Sequence, residues 1–157
     1  ISLWTCGICD RIYELADRDL QITLSISLHA VTDEKRSRIM PINRRYNIET
    51  LMSACRYYIK KTNRRISFEY TLISGVNDTT DEAKALLSLI SGMLCHVNLI
   101  PVNKVSGTGF SPTVARSVER FRQTLENGGV SATVRREMGA DISAACGQLR
   151  AAAEGIQ

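Results

Sequence analysis

The sequence lacks any apolar run long enough to span a membrane, and it has no charged-then-apolar leader segment. An apolar stretch such as 22–28 is far shorter than the roughly 20 residues that a membrane helix needs. Internal repeats, low-complexity segments and interdomain linkers are also missing. A chain of 157 residues, 44% hydrophobic and 23% charged, is therefore expected to form one folded domain in the cytoplasm, with no membrane partner.

The five cysteines lack the even number and regular spacing of a disulfide framework, so reduced thiols are expected. Cys6 and Cys9 form a C-x-x-C pair, which can hold zinc, hold half of a cluster or form a redox disulfide. Because the chain has no second pair and position 2 is serine, no complete metal motif is present. A small thiol oxidoreductase using Cys6 and Cys9 remains one alternative function.

The net charge of +4 and the pI of about 8.9 are only mildly basic, and the clustering of the charge is more informative. Such clusters either track nucleic-acid phosphates or form a solvated face. The basic clusters are Lys35-Arg36-Ser37-Arg38, Arg44-Arg45, 60–65 and Arg135-Arg136.

Apolar and β-branched runs predict five strands. Apolar residues at helical spacing predict a helix after each of the first four strands. This alternation predicts an α/β fold with parallel strands and helices outside, curling toward a partial (β/α) barrel. Ligands of such sheets gather at the carboxyl ends of the strands. The predicted strands are 1–5, 22–28, 66–73, 95–102 and 130–136, and the ends that should face a ligand are 5–7, His29, 73–75, Asn103 and the residues after Arg136.

Three side chains have more than one possible role. Cys146 lies between Ala144-Ala145 and Gly147, so it is either a reagent thiol that a ligand can approach closely or a buried small residue. His29 could bond a cofactor, act as a general base or be structural. His96 begins a strand, at the opposite end of the barrel, and is expected to be structural.

Six motifs in this order resemble the C-terminal part of the RlmN/Cfr family of radical S-adenosylmethionine (SAM) RNA methyltransferases. The resemblance covers 1–149 as part of the catalytic domain and leaves 150–157 as a tail. The motifs are Ser27-Leu28-His29-Ala30, Ile39-Met40-Pro41-Ile42-Asn43, Phe68-Glu69-Tyr70, Gly75-Val76-Asn77-Asp78, Val97-Asn98-Leu99-Ile100-Pro101-Val102-Asn103 and the segment around Cys146.

The resemblance implies methylation of an adenine in large-subunit ribosomal RNA and in some tRNAs. It implies that Cys146 carries the methyl group as an S-methylcysteine, and it favours RNA as the partner of the basic clusters. Ala30 and Pro101 look more like the carbon-2 enzymes, with a carbon-8 enzyme of the Cfr kind as the alternative. The resemblance to the family also implies that SAM is a cofactor. The residues implied to bind it are Ser27, Leu28, His29 and Asn103.

The family also uses a 4Fe-4S cluster and an electron donor. The cluster motif, a second catalytic cysteine and a glycine-glutamate SAM motif belong to an earlier half that this chain does not contain. We therefore expect a piece of a larger enzyme that is inactive alone. Trp4 stands where the family has a SAM-binding serine, so that contact is not carried over. A non-catalytic RNA-binding module is the remaining alternative.

Overall fold

A computed structural model describes residues 1–102 and 109–135 of the chain. Five strands are joined by helical connections, and the connection between the second and third strands holds two helices with a short 3-10 helix, Pro41–Arg44, between them. The strands are β1 (Ser2–Thr5), β2 (Thr23–Ser27), β3 (Ile66–Leu72), β4 (Cys95–Pro101) and β5 (Ser131–Val134), and the helices are α1 (Cys9–Asp17), α2 (Asp33–Ile39), α3 (Ile48–Thr62), α4 (Thr80–Leu89) and α5 (Ala115–Asn127).

The strands form one sheet in the order β1-β2-β3-β4-β5, and all neighbouring strands are parallel. When consecutive strands are neighbours and every crossover is right-handed, all the helices lie on the same face of the sheet. The predicted α/β fold of parallel strands with helices outside is therefore confirmed.

The two faces of the sheet differ sharply in chemistry because side chains alternate along each strand. The face that packs against the helices is apolar, and residues such as Leu24, Phe68 and Leu99 are 0% exposed there. Tyr70 joins this core through its ring contact with Phe121 of α5, at 5.3 Å between ring centroids.

The helix-free face carries short polar side chains instead. Register pairing places Ser27 beside Glu69 and Glu69 beside Asn98, at one level across three neighbouring strands. Parallel sheets are normally covered on both faces, so a polar uncovered face indicates the inside of a barrel or a ligand cavity. This face belongs to the candidate site.

Local capping signals explain where the helices begin. Thr32, Asn47 and Thr79 each accept a hydrogen bond from a backbone N–H in the first turn of the helix that follows. Thr79 accepts from the Glu82 N–H, while the Glu82 side chain pairs with Lys35, so the reciprocal bond of a full capping box is not formed there.

The edge strand β1 presents large apolar side chains to solvent. Ile1, Leu3 and Trp4 are 98%, 43% and 66% exposed. No other strand among the described residues pairs with the outer edge of β1. Within the described ranges, no helix is both long and apolar enough to cross a membrane.

Candidate functional site

His29 lies directly after β2 and is held in an unusual backbone conformation. Its φ of +61° is in the left-handed region, which non-glycine residues rarely adopt without support from their surroundings. The support comes from β3: the His29 N–H donates to the Glu69 carbonyl at 3.3 Å, and the Thr71 N–H donates to His29 Nδ1 at 3.0 Å. The ring is therefore fixed by the backbone of the neighbouring strand.

Asn77 provides the third support for His29. Its Nδ2 donates to the carbonyls of His29 and Thr71, each at 2.7 Å, and its Oδ1 accepts from the Ile73 N–H at 2.8 Å. The Tyr70 hydroxyl donates to the Asn77 carbonyl at 3.2 Å. Asn77 is 0% exposed, so these bonds are shielded from water and fix the loop after β2 to the end of β3.

The His29 ring is a neutral hydrogen-bond donor. Burial, together with the smaller effect of the nearby Arg36 charge, lowers the pKa of His29 to about 4. Because Nδ1 accepts from Thr71, the ring proton is on Nε2. Of the roles that the sequence left open, donation from Nε2 to a ligand fits these facts, whereas a base with so low a pKa would be weak at neutral pH.

Ser27 and Leu28 contribute in different ways. Leu28 is 0% exposed, its N–H donates to the Glu69 carbonyl, and its carbonyl accepts from Arg36 Nε at 3.1 Å. It therefore shapes the strand end from within the core. Ser27 is half-buried on the helix-free face, and within residues 1–102 and 109–135 no group bonds its hydroxyl. Ser27 Oγ and His29 Nε2 are the polar atoms of this segment that can reach a ligand.

Arg36 is a structural residue of this site and does not belong to a phosphate-binding surface. It is 0% exposed, so Arg36 itself belongs neither to a solvated face nor to a phosphate-tracking patch, whereas Arg38 of the same cluster is exposed. Its Nη2 donates to the carbonyls of Cys6 and Ser27, both at 2.9 Å, and its Nη1 donates to Asn43 Oδ1 at 3.0 Å. With the bond to the Leu28 carbonyl, one guanidinium joins the carboxyl ends of β1 and β2.

Asn43 completes the network around Arg36. It is 3% exposed, and its Nδ2 donates to Asp33 Oδ1 at 3.1 Å and to Ser37 Oγ at 3.0 Å. The same Asp33 oxygen accepts from the Ile48 N–H at 2.9 Å, at the start of α3. The motif that ends in Asn43 therefore fixes α2 and α3 relative to the strand ends.

Cys9 and Cys55 have the character of structural thiols. Cys9 and Cys55 are 1% and 0% exposed, and burial raises the pKa of Cys9 to about 11 and that of Cys55 to about 12. The Cys9 thiol donates to the Gly7 carbonyl at 3.5 Å. A protonated, hydrogen-bonded thiol is a poor nucleophile, which argues against an oxidoreductase built on Cys6 and Cys9.

The described residues do not fit an iron-sulfur cluster. In 1–102 and 109–135, no group of three or more His, Cys, Asp or Glu is placed to hold a metal ion. The same ranges do fit a small polar ligand, because Ser27 and the partly paired carboxylate of Glu69 are register partners on the helix-free face and His29 follows Ser27 at the end of the same strand. Asn103 and Cys146 lie outside the described residues.

Trp4 lies on the same face as this polar region. It is the register partner of Ser25 and thus one pleat repeat before the level of Ser27 and Glu69. The indole is 66% exposed at the sheet edge, so it borders the region without filling it.

The exposed basic residues divide between the two ends of the sheet. Arg44 and Arg45 precede α3, at the carboxyl ends of the strands where His29 lies. Lys60 and Lys61 end α3 and lead into β3, at the opposite end. Arg45 packs over the Tyr46 ring, 5.2 Å from its centroid. The Arg44-Arg45 pair is therefore the one of these two clusters that borders the candidate site.

The chain is similar to long curated proteins over nearly all of its length. A Clostridium perfringens protein named as a dual-specificity RNA methyltransferase RlmN is 59% identical over 150 residues, covering 96% of this chain and 43% of that protein. A Caldanaerobacter subterraneus protein of the same name is 57% identical, with 96% and 44% covered. The chain thus spans less than half the length of these relatives. No protein-family model matches it.

The structural comparisons agree with this similarity. A radical SAM methyltransferase from Sphaerobacter thermophilus superposes with a TM-score of 0.91 at 47% identity, covering 94% of this chain and 43% of that one. A domain of pyruvate-formate lyase-activating enzyme from Bacteroides vulgatus superposes with a TM-score of 0.66 at 16% identity over 86% of this chain and 80% of that one, which shows a shared fold alone. The chain belongs to the RlmN family and corresponds to the C-terminal part of its members.

Proposed function

We propose that the chain is part of an enzyme that methylates carbon 2 of an adenine in large-subunit ribosomal RNA and in some tRNAs. The observation that carries the proposal is the 59% identity to a dual-specificity RNA methyltransferase over 96% of the chain. Residues 1–149 form part of the catalytic domain and 150–157 its tail. The same proposal makes RNA the substrate. It also includes an electron donor for the iron-sulfur cluster and a cytoplasmic location for the enzyme.

The described strand ends have the donors that a SAM site needs. Ser27 Oγ lies on the helix-free side, His29 Nε2 carries a donor proton at the end of the same strand, and the Arg36 and Asn77 networks hold this segment in place. Leu28 acts from the core side of the strand. Asn103 completes the proposed SAM-binding set. SAM, when bound, supplies the transferred methyl group and the radical precursor.

Cys146 is the proposed methyl carrier, through an S-methylcysteine. Its neighbours Ala144, Ala145 and Gly147 have little bulk, so a cofactor and a nucleobase can both approach the sulfur closely. Close approach matters because correct placement of reacting groups supplies a large part of an enzyme's rate. The cluster ligands belong to the portion of the relatives that this chain does not cover, and the chain alone is accordingly inactive.

Transfer of labelled methyl groups tests this function. The full-length protein, reconstituted anaerobically with iron and sulfide and given a reductant, is expected to move label from SAM into an adenine-containing ribosomal RNA fragment. The chain 1–157 treated in the same way is expected to transfer none and to bind substoichiometric iron. Methyl transfer by the chain 1–157, or a stoichiometric cluster bound to it, would contradict the proposal that residues outside this chain hold the cluster.

The Arg44-Arg45 pair is expected to contact RNA. Changing both residues to glutamine in the full-length protein removes two cations beside the site and should weaken RNA binding. The slope of log affinity against log salt should become less steep by roughly 0.7 for each single-strand phosphate that the variant no longer neutralises. Fluorescence anisotropy with a labelled RNA hairpin at several salt concentrations measures both quantities.

Lys60 and Lys61 provide a matched control, because they carry the same charge at the other end of α3. Their change to glutamine should leave the salt slope near that of the unaltered protein. Equal effects of the two double substitutions would show that general charge, and not the site-bordering position, governs RNA binding.

A further inference from the structure

Glu69 is a buried carboxylate on the helix-free face that the proposed SAM contacts leave unused. It lies in the middle of β3 and is 7% exposed. Its Oε2 accepts from Asn98 Nδ2 at 2.8 Å. Within residues 1–102 and 109–135 it forms no ion pair, and no group there donates a hydrogen bond to its Oε1. Oε1 is not among the enclosed polar atoms that lack a partner, so it is open to the helix-free face, where a ligand group can reach it.

A chain of hydrogen bonds leads from the solvent to Glu69. Thr133 Oγ1 donates to Asn98 Oδ1 at 3.4 Å, and His96 lies between Thr133 and Ser131, with Nε2 at 2.9 Å from Thr133 Oγ1 and Nδ1 at 3.1 Å from Ser131 Oγ. Ser131 and Thr133 are exposed, whereas Glu69 is buried.

The direction of this chain is fixed by its last member. A carboxylate only accepts, so Asn98 must present its N–H group to Glu69 and its oxygen to Thr133. Thr133 has one proton, which goes to Asn98, so its oxygen accepts from His96 Nε2–H. Burial lowers the pKa of His96, the ring is neutral, and its Nδ1 accepts from Ser131. Every donor in the chain points toward Glu69, which stays an acceptor.

The neighbours of Glu69 define what kind of ligand group fits beside it. Ser27 is its register partner on β2, and paired residues on neighbouring strands are about 4.8 Å apart. The Ser27 hydroxyl and His29 Nε2–H can donate, while Glu69 Oε1 can only accept. A single ligand group that pairs with both these donors and this acceptor must itself accept one hydrogen bond and donate another. A hydroxyl does so, whereas an ammonium group only donates and a phosphate oxygen only accepts.

We propose that Glu69 binds a ribose hydroxyl of the nucleoside ligand of this site, with the hydroxyl donating to Oε1 and accepting from Ser27 or His29. Carboxylates recognise ribose hydroxyls in this way in nucleotide-binding folds. The inference rests on the proposed function and names a group of the ligand that its site contacts. Two ligands carry the required hydroxyl: the ribose of SAM and the ribose of the RNA target nucleotide.

Binding of deoxy ligands tests the inference without any catalytic step. Isothermal titration calorimetry of the full-length protein compares S-adenosylhomocysteine with its 2′-deoxy and 3′-deoxy analogues. Loss of a hydroxyl that donates to a carboxylate should weaken binding roughly 10- to 100-fold. A second arm compares an RNA hairpin with one that has 2′-deoxyadenosine at the target position. The arm that shows the loss identifies which ribose is bound.

The Glu69→Gln variant supplies the residue-specific part of the test. Glutamine carries no charge and has one acceptor oxygen in place of two, so the ligand hydroxyl meets either the NH₂ donor or a neutral carbonyl oxygen instead of a carboxylate. The penalty for the missing hydroxyl should then shrink to less than about 3-fold. Ser67→Ala is the matched control: it lies two residues earlier on the same strand and face, and it should keep the full penalty.

The outcomes separate this inference from the function on which it rests. If the unaltered protein binds both ligands but makes no distinction between hydroxyl and deoxy forms in either arm, the role of Glu69 is wrong while the proposed function stands. If the penalty remains full in Glu69→Gln, another group binds the hydroxyl and the inference is again wrong. If the unaltered protein binds neither ligand, the proposed function fails as well. The first comparison needs no variant, so it holds even if Glu69→Gln does not fold.

Discussion

Replacement of Cys146 by alanine in the full-length protein is expected to abolish methylation of the RNA adenine. The thiolate is the proposed nucleophile that accepts the methyl group, and alanine has no atom that can replace it. Without this sulfur the covalent intermediate cannot form, so the reaction is abolished and not only slowed. Mass spectrometry of RNA nucleosides, isolated from a host that lacks its own methyltransferase, should detect 2-methyladenosine with the unaltered gene and none with Cys146→Ala.

Cys6→Ala is the matched control for this experiment. The contact that Cys6 makes with Arg36 uses its backbone carbonyl, which alanine retains. Product formation should therefore continue at the normal level. Loss of product in Cys6→Ala, with normal product in Cys146→Ala, would reverse the assignment of the two thiols and favour chemistry at the C-x-x-C pair. Detection of 8-methyladenosine would instead place the protein with the carbon-8 enzymes.

Arg36→Met is expected to lower the free energy of unfolding by about 3 kcal/mol or more. Arg36 satisfies the carbonyls of Cys6, Ser27 and Leu28 from a fully buried position. Each buried acceptor left without a donor costs about 1–3 kcal/mol. Methionine has no charge to bury, so the variant avoids the desolvation cost of the guanidinium, and this offsets part of the loss. Thermal or denaturant unfolding of the full-length protein measures the change, and affinity for S-adenosylhomocysteine should fall with it because Ser27 and Leu28 lose their common support.

Arg38→Met gives the comparison for Arg36. Both residues lie on α2, but the Arg38 side chain is exposed and pairs with Glu34 one helical turn away, at 3.2 Å. Exposed pairs of this kind contribute about 0.3–0.5 kcal/mol. If the two substitutions destabilise the protein equally, the guanidinium network is not what holds the strand ends together.

The sequence predicted the elements well because their signals are local. The run 66–73 and the observed strand Ile66–Leu72 differ by one residue. The runs 22–28 and 95–102 likewise correspond to the strands Thr23–Ser27 and Cys95–Pro101. Each of these features depends on residues within one or two turns, and periodicity and capping describe such short-range relations directly.

The sequence did not predict the contacts that build the site, because they join distant segments. Arg36 occurs in a Lys-Arg-Ser-Arg run that is typical of a surface, and its burial depends on carbonyls of β1 and β2. Asn77 occurs in a turn motif, yet its side chain bonds His29, 48 positions earlier. Local patterns contain no information about such partners. For Glu69 a signal did exist: polar residues alternate at 67, 69 and 71, which is the mark of a polar strand face.

The sulfur of Cys146 is proposed to receive the methyl group before the RNA does, and peptide mapping of the full-length protein detects this intermediate. The protein is incubated with SAM carrying an isotopically labelled methyl group, without RNA, and then digested and analysed by mass spectrometry. One added labelled methyl group is expected on the peptide that contains Cys146. An unmodified Cys146 peptide, from a preparation that still methylates RNA, would contradict it.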